Sequence, residues 1–239
     1  MPGESSADRP TGLPGGVRAA MMLIGFIPLV HAALTVAPVV LVIMGRPRLL
    51  LALTPATLYL LPPVVVRLVT WRRPLQTGLI DLASPEFLRW WFTAQCQIVF
   101  ARLPWLDELL RLVPTLYSAW LRLWGSRIGA FVYWSPGLVI LDRSLVNIGS
   151  RVVFGAGVRL NSHAIAPIGG RRSLILGPVT IGDDALIGGY STLLPGCVVA
   201  PREVTAPFRT VHPFMHIEGG RRSRLSTLRM TDDLDALAG

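Results

Sequence analysis

Only one of the chain's four histidines, His163, falls inside a regular repeat. It holds the fourth place of the hexad Leu160 to Ile165, a corner beside the inward-facing Ala164, so its ring should leave the backbone for the surface or a neighbouring subunit. An imidazole titrates near neutral pH and takes a proton from a hydroxyl or amine without much tuning. Asn161 is a candidate to orient that ring or the group it deprotonates, and equally a residue kept at a turn for its backbone tolerance. His212 and His216 lie outside the repeat and are alternative bases, whereas His31 sits in an apolar run and should face a neighbouring helix or a cavity.

All 23 basic residues are arginine and the net charge is +9, so lysine nucleophiles and Schiff bases are excluded. Nucleic acid, anionic lipid and phosphorylated ligands compete for that charge. No zinc spacing, aromatic recognition sheet or basic helix accompanies it, which disfavours nucleic acid. Arg171 and Arg172 lie in an irregular stretch, Ala166 to Ser173, just behind His163. They fit an anion-binding, substrate-shaping loop or a solvated basic one. Arg202 and the run Arg221, Arg222 to Arg224 follow the regular hexads, where guanidinium groups grip phosphate bidentately or touch anionic lipid. Cys96 and Cys197 are too few and too dispersed for a metal site or a disulfide framework, so no metal is expected.

The element that positions these residues is a six-residue period. Ile181, Ile187, Leu193 and Val199 mark it, with the small residues Ala185, Ser191 and Cys197 at the fifth place of each hexad. No helix of 3.6 residues per turn has that period, but a parallel β-helix does, because aliphatic residues of successive coils pile into internal columns. Upstream, Ile128, Trp134 and Ile140 keep the rhythm, and Ile148, Phe154 and Leu160 resume it after a two-residue slip read as a loop bulging from one corner. At roughly eighteen residues per triangular coil, residues 128–204 make about four coils, leaving 205–239 as a tail.

Before the repeat, residues 1–16 read as a flexible tail. Residues 17–44 and 49–66 are apolar runs of spanning length, and 17–73 forms a transmembrane helical hairpin. A signal peptide cleaved after Ala32 and Ala33 is the alternative, opposed by the continuing apolar run. Pro28 and Pro38 should kink the first helix. Arg9, Arg18, Arg67, Arg72 and Arg73 outnumber Arg46 and Arg48 of the turn, placing both ends and the repeat on the cytoplasmic side of the inner membrane. Residues 74–127 read as amphipathic helices rich in tryptophan (Trp90, Trp91, Trp105, Trp120, Trp124). Those rings suit the lipid headgroup region, or equally the packing of these helices against the hairpin or the coil.

The hexads Ile148-Gly149, Phe154-Gly155, Ile181-Gly182 and Ile187-Gly188, with Leu194-Pro195-Gly196, resemble the hexapeptide-repeat acyltransferases of left-handed parallel β-helix fold. The left hand is implied by the resemblance alone, since parallel crossovers generally prefer the right. The stretch Tyr117 to Arg122, running into Gly125 to Gly129, is similar to membrane-associated members, including modules at the C-terminus of peptide-synthetase-like proteins. The resemblance implies a mainly β chain, a homotrimer, acyl-CoA in the groove between neighbouring β-helices, and His163 as general base. It puts the nucleotide end of the coenzyme near Arg202, Arg221 and Arg222, and its pantetheine arm along Gly188, Gly189 and Ser191, although Gly188 also satisfies the hexad pattern. The expected activity moves an acyl group, acetyl first among them, from acyl-CoA to a hydroxyl or amine of an amphiphilic or lipid-linked acceptor. A noncatalytic trimeric β-helix scaffold at the membrane is an alternative. So is a zinc hydratase of the γ-carbonic-anhydrase kind, which needs three histidine ligands where the repeat holds only His163.

Overall fold

The computed structural model describes residues 13–168 and 171–224, so most of the expected N-terminal tail, with Arg9, lies outside the described residues. Helix α1 (Gly15–Ile24) already includes the end of that tail, and α2 (Ile27–Ile43) follows after a break at Gly25 and Phe26. Pro28 occupies the first turn of α2, where a missing N–H leaves no bond unmade. It therefore starts a helix, and only Pro38 lies inside one. After the turn at Gly45, a second helical run comprises a 3₁₀ segment (Arg48–Ala52), α3 (Leu53–Pro55), a π segment (Ala56–Leu60) and α4 (Leu61–Trp71). A π segment displaces carbonyls from the regular ladder. His31 Nε2 sits 3.1 Å and 3.2 Å from two of them, the Thr57 and Leu58 oxygens, so this histidine does face the neighbouring helix. The runs Gly15–Ile43 and Arg48–Trp71 are long and apolar enough to cross a membrane, and many of their large apolar side chains are exposed.

The chain then makes a strand, β1 (Gly78–Asp81), inside a segment expected to be helical throughout. Helix α5 (Pro85–Arg102) follows and is well specified: Ser84 Oγ accepts the Phe87 N–H, Pro85 opens the first turn beside Glu86, and Arg102 closes the last. Its buried face carries Phe87, Trp90, Cys96 and Phe100 together with Thr93, Gln95 and Gln97, which marks a helix packed on all sides. Helices α6 (Trp105–Arg111) and α7 (Leu116–Trp124) complete the layer. Trp90, Trp120 and Trp124 are buried while Trp105 is exposed, so most of these rings pack the helices rather than face lipid. Trp120 donates its N–H to the Tyr59 carbonyl of the hairpin at 2.7 Å, and Trp134 of the coil donates to Ser118 Oγ of α7 at 2.9 Å.

From Arg127 the chain visits three parallel ladders in fixed rotation. The first stacks β2 (Arg127–Ile128), β4 (Val146–Ile148), β9 (Val179–Ile181), β12 (Val198–Val199) and β14 (Met215–Glu218). The second runs from Tyr133 through β5 (Val153–Phe154) and β10 (Leu186–Ile187) to Val204. The third joins β3 (Val139–Ile140), β6 (Arg159–Leu160), β11 (Thr192–Leu193) and β13 (Thr210–Val211). Ile181 pairs with Val199 and Val199 with Ile217, the eighteen-residue circuit expected. The ladders continue past residue 204, so Thr205 to Ile217 is coil rather than tail, and His212 and His216 lie within it. An antiparallel strand, β15 (Arg221–Arg224), pairs with β14 at the end. The Ile-Gly dipeptides follow from stacking: a Cβ on Gly182 would stand 2.4 Å from Pro201 N, and one on Gly149 only 2.6 Å from Asp183 N.

Between the second and third coils an arm leaves the stack, β7 (His163–Ile168) returning as β8 (Arg171–Leu176). Strand β1 pairs with β8 antiparallel, Gly78 opposite Leu176. The irregularity of Ala166 to Ser173 is thus a hairpin, and its missing third strand comes from just after the apolar helices.

Candidate active site

His163 opens the arm. Its ring packs against residues of its own chain and leaves the side chain 26 % exposed. Nδ1 lies 2.6 Å from Asp142 Oδ2, and the ring meets the Trp90 indole at 4.7 Å between centroids, tilted by 58°. Trp90 Nε1 donates to the other Asp142 oxygen at 3.0 Å. Both carboxylate oxygens are therefore held, and Asp142 is only 1 % exposed. A carboxylate against Nδ1 keeps the proton on that nitrogen, leaving the Nε2 lone pair to accept one. Burial disfavours the charged ring, yet the hydrogen bond and charge of Asp142 outweigh it and raise the His163 pKa above its ordinary 6.5.

Asp142 sits in the two-residue slip between Ile140 and Ile148, and the helical layer fixes that loop. The Arg143 N–H donates to Gln97 Oε1 of α5 at 2.6 Å, and the Arg143 guanidinium donates to Asp107 Oδ2 of α6 at 2.8 Å. Tyr117 shares that oxygen at 3.0 Å, and Arg143 lies over the rings of Phe100 and Trp120. Ser126 donates to the Arg143 carbonyl. A buried arginine needs such a set of partners, because an unpaired buried charge costs several kcal/mol, on the order of 3–5.

Asn161 does not contact the ring. Asp142 does the orienting, while Asn161 Oδ1 is buried without a partner. Ser191, expected along a pantetheine arm, is buried in the coil with its hydroxyl shared between the Ala206 carbonyl and the Arg209 N–H. Gly188 is buried against the next coil, where a Cβ would meet Ala206 C at 2.4 Å, and Gly189 lies over Ala156. Coil packing alone accounts for Gly188 and Ser191. Arg172 is exposed on the arm; Gly169, Gly170 and the Arg171 side chain lie outside the described residues. Arg202 is an exposed corner residue with φ 61°, stacked over the corner that holds the Arg151–Asp184 ion pair. Arg221 and Arg222 are exposed on β15, three ladder steps beyond the strand that follows the arm, and among the described side chains none of these arginines hydrogen-bonds or ion-pairs with His163. Among the described residues no cluster of three or more His, Cys, Asp or Glu gathers to hold a metal.

Sequence reasoning missed Asp142 and Trp90. The slip at Asp142 was the visible signal for the first: a break in a strict period places a polar residue where the coil leaves its track. Nothing in the sequence pointed to Trp90, because its partner lies 52 residues away.

No family model matches the chain. Nodulation protein L of Rhizobium leguminosarum bv. viciae is 42 % identical over 73 residues, 29 % of this chain and 38 % of that protein. The chain thus spans well under half the length of this relative. Among solved structures, a hexapeptide-repeat acetyltransferase from Vibrio cholerae, complexed with acetyl coenzyme A, is 26 % identical over 44 % of this chain and 61 % of that one, with a TM-score of 0.33. Serine acetyltransferase from Brucella abortus is 17 % identical, covering 69 % of this chain and 67 % of that one, with a TM-score of 0.28. The chain is similar to hexapeptide-repeat acetyltransferases.

Proposed function

We propose that the protein is a membrane-anchored acyltransferase that moves an acyl group, acetyl first among them, from acyl-CoA to a hydroxyl or amine of an amphiphilic acceptor. The observation that carries this reading is the pair of half-buried His163 and buried Asp142 at 2.6 Å on a break in the repeat. His163 Nε2 takes the acceptor proton as the acceptor oxygen or nitrogen attacks the thioester carbonyl. The carbon–sulfur bond then breaks, and the coenzyme leaves as the thiol with that proton. Asp142 holds the tautomer and stabilises the imidazolium formed on the way.

The three-ladder coil is read as a left-handed parallel β-helix that works as a homotrimer. Support comes from its second ladder, where Tyr133, Val153, Leu186 and Val204 point outward and are 59 %, 40 %, 41 % and 67 % exposed, an apolar wall on a flat face. A second copy of the coil would cover it. The two apolar helices anchor the chain in the inner membrane with the coil on the cytoplasmic side, as the arginines at their ends favour.

The test is thiol release from acetyl-CoA by the full-length protein with a membrane lipid extract as acceptor. His163→Ala is expected to lower the rate by roughly 10²-fold or more with the fold intact. An unchanged rate in a folded variant rejects His163 as the base, and no thiol release by the wild type leaves the noncatalytic scaffold.

A further inference from the structure

A cleft of about 670 Å³ lies where the end of α4, the end of α7 and the Asp142 loop meet. Its apolar walls are Val64, Leu68 and Trp71 of α4 and Leu123 of α7, all exposed. These α4 residues belong to a helix long and apolar enough to cross a membrane, so the wall is continuous with a surface suited to acyl chains. The charged groups of the cleft are all cationic. Arg67 and Arg122 line it with no carboxylate among the lining residues. Arg122 is braced by the Ile128 and Gly129 carbonyls at 2.9 Å and 3.0 Å, which orient it without neutralising it. Trp124 and Ser144 also line it, and the Trp124 indole N–H and the Ser144 hydroxyl are both buried without a partner. An N–H left unpaired in a buried position costs about 1–3 kcal/mol, so two such groups beside two arginines describe a place for an acceptor-rich anion. Gly125 keeps the space open: at φ +105° its missing Cβ would stand 3.0 Å from the Arg67 guanidinium.

The cleft also borders the loop that carries Asp142, although neither Asp142 nor His163 lines it. Ser144 and Leu145 follow Asp142 in the same loop, and the Leu145 carbonyl accepts the hydroxyl of Ser162, the residue before His163, at 2.8 Å. We propose that this cleft seats the acceptor, an amphiphile whose anionic phosphate or carboxylate head is bound by Arg67, Arg122, Trp124 and Ser144 while its chain lies along α4. The role as acceptor rests on the acyl-transfer reading; the binding does not.

The experiment titrates the full-length protein in neutral detergent with dioctanoyl phosphatidic acid, dioctanoylglycerol, inorganic phosphate and coenzyme A. Phosphatidic acid is expected to bind at least about tenfold more tightly than the uncharged diacylglycerol, as a charge-assisted contact should. Arg67→Gln, at a surface arginine, should remove most of that preference and Ser144→Ala part of it. Binding of phosphate as tight as that of phosphatidic acid, or coenzyme A binding that is lost in Arg67→Gln, overturns the amphiphile. Equal binding of the two lipids, or a preference untouched by Arg67→Gln, overturns the site. His163→Ala should bind phosphatidic acid as the wild type does while losing transfer. If it keeps transfer, the catalytic reading fails and the cleft stands.

Discussion

Replacing Asp142 by asparagine should be more damaging than replacing it by alanine, and the reason lies in Trp90. The Trp90 N–H needs an acceptor and finds Asp142 Oδ1 at 3.0 Å. In Asp142→Asn the amide oxygen is claimed by that N–H, which turns the amide nitrogen toward His163 Nδ1. An N–H facing Nδ1 makes it an acceptor and moves the ring proton to Nε2, so the base has no lone pair to offer. The expected loss is about 10³–10⁴-fold, equivalent to roughly 4–5.5 kcal/mol in the barrier. Asp142→Ala forces no tautomer and should cost roughly 10²-fold. Adding Trp90→Phe to Asp142→Asn removes the competing donor, lets the amide turn its oxygen to Nδ1–H, and should recover at least tenfold. The assay is thiol release across pH. In the wild type the base form dominates only above the raised His163 pKa, so the acid limb lies above pH 6.5; without Asp142 only burial remains, and the limb moves below it. The same raised pKa contributes stability that is complete below the unfolded value and lost as pH rises through the folded one. An asparagine variant at least as active as the alanine variant, or no recovery in the double variant, refutes this geometry.

Leu186→Glu with Val204→Glu on the outward wall should convert an oligomer to a monomer in light scattering, with the circular dichroism of the coil retained. Gly188→Ala, which puts a methyl 2.4 Å from the Ala206 backbone, should lower the unfolding free energy by about 1–3 kcal/mol; a change confined to the KM for acyl-CoA would restore the coenzyme reading of that glycine. Arg143→Ala strands the buried Asp107 carboxylate and should cost about 3–5 kcal/mol in chemical denaturation, whereas Arg143→Met with Asp107→Leu should cost far less.

The coil was legible because its signal is local and repeated: every sixth residue reports the same wall, and an error at one hexad is corrected by the next. The end of the coil was not, since Pro201 to Pro213 replaces the Ile-Gly signature with corners built on Arg202 and Phe208, while the inward Val211 and Ile217 keep the ladder. His163 was legible through its place in a hexad. Its partners were not: Trp90 belongs to a helix whose tryptophans suited a lipid-facing surface and internal packing equally, and the buried polar set of Gln97, Asp107 and Arg143 is scattered across three segments with no shared period. Strand β1 was hidden too, because four residues between an apolar helix and a capped one carry too short a pattern to declare an edge.

That short strand bears on how the candidate site forms. Residues 78–81 leave the ribosome long before the arm they complete, yet β8 pairs with them on one side and with the strand of His163 on the other. His163 is therefore held in place only once a later hairpin docks against an edge supplied by the N-terminal half. A repeat expressed alone from Gly125 onward would keep the coil, His163 and Asp142, and would lack the edge and the indole that make them a site.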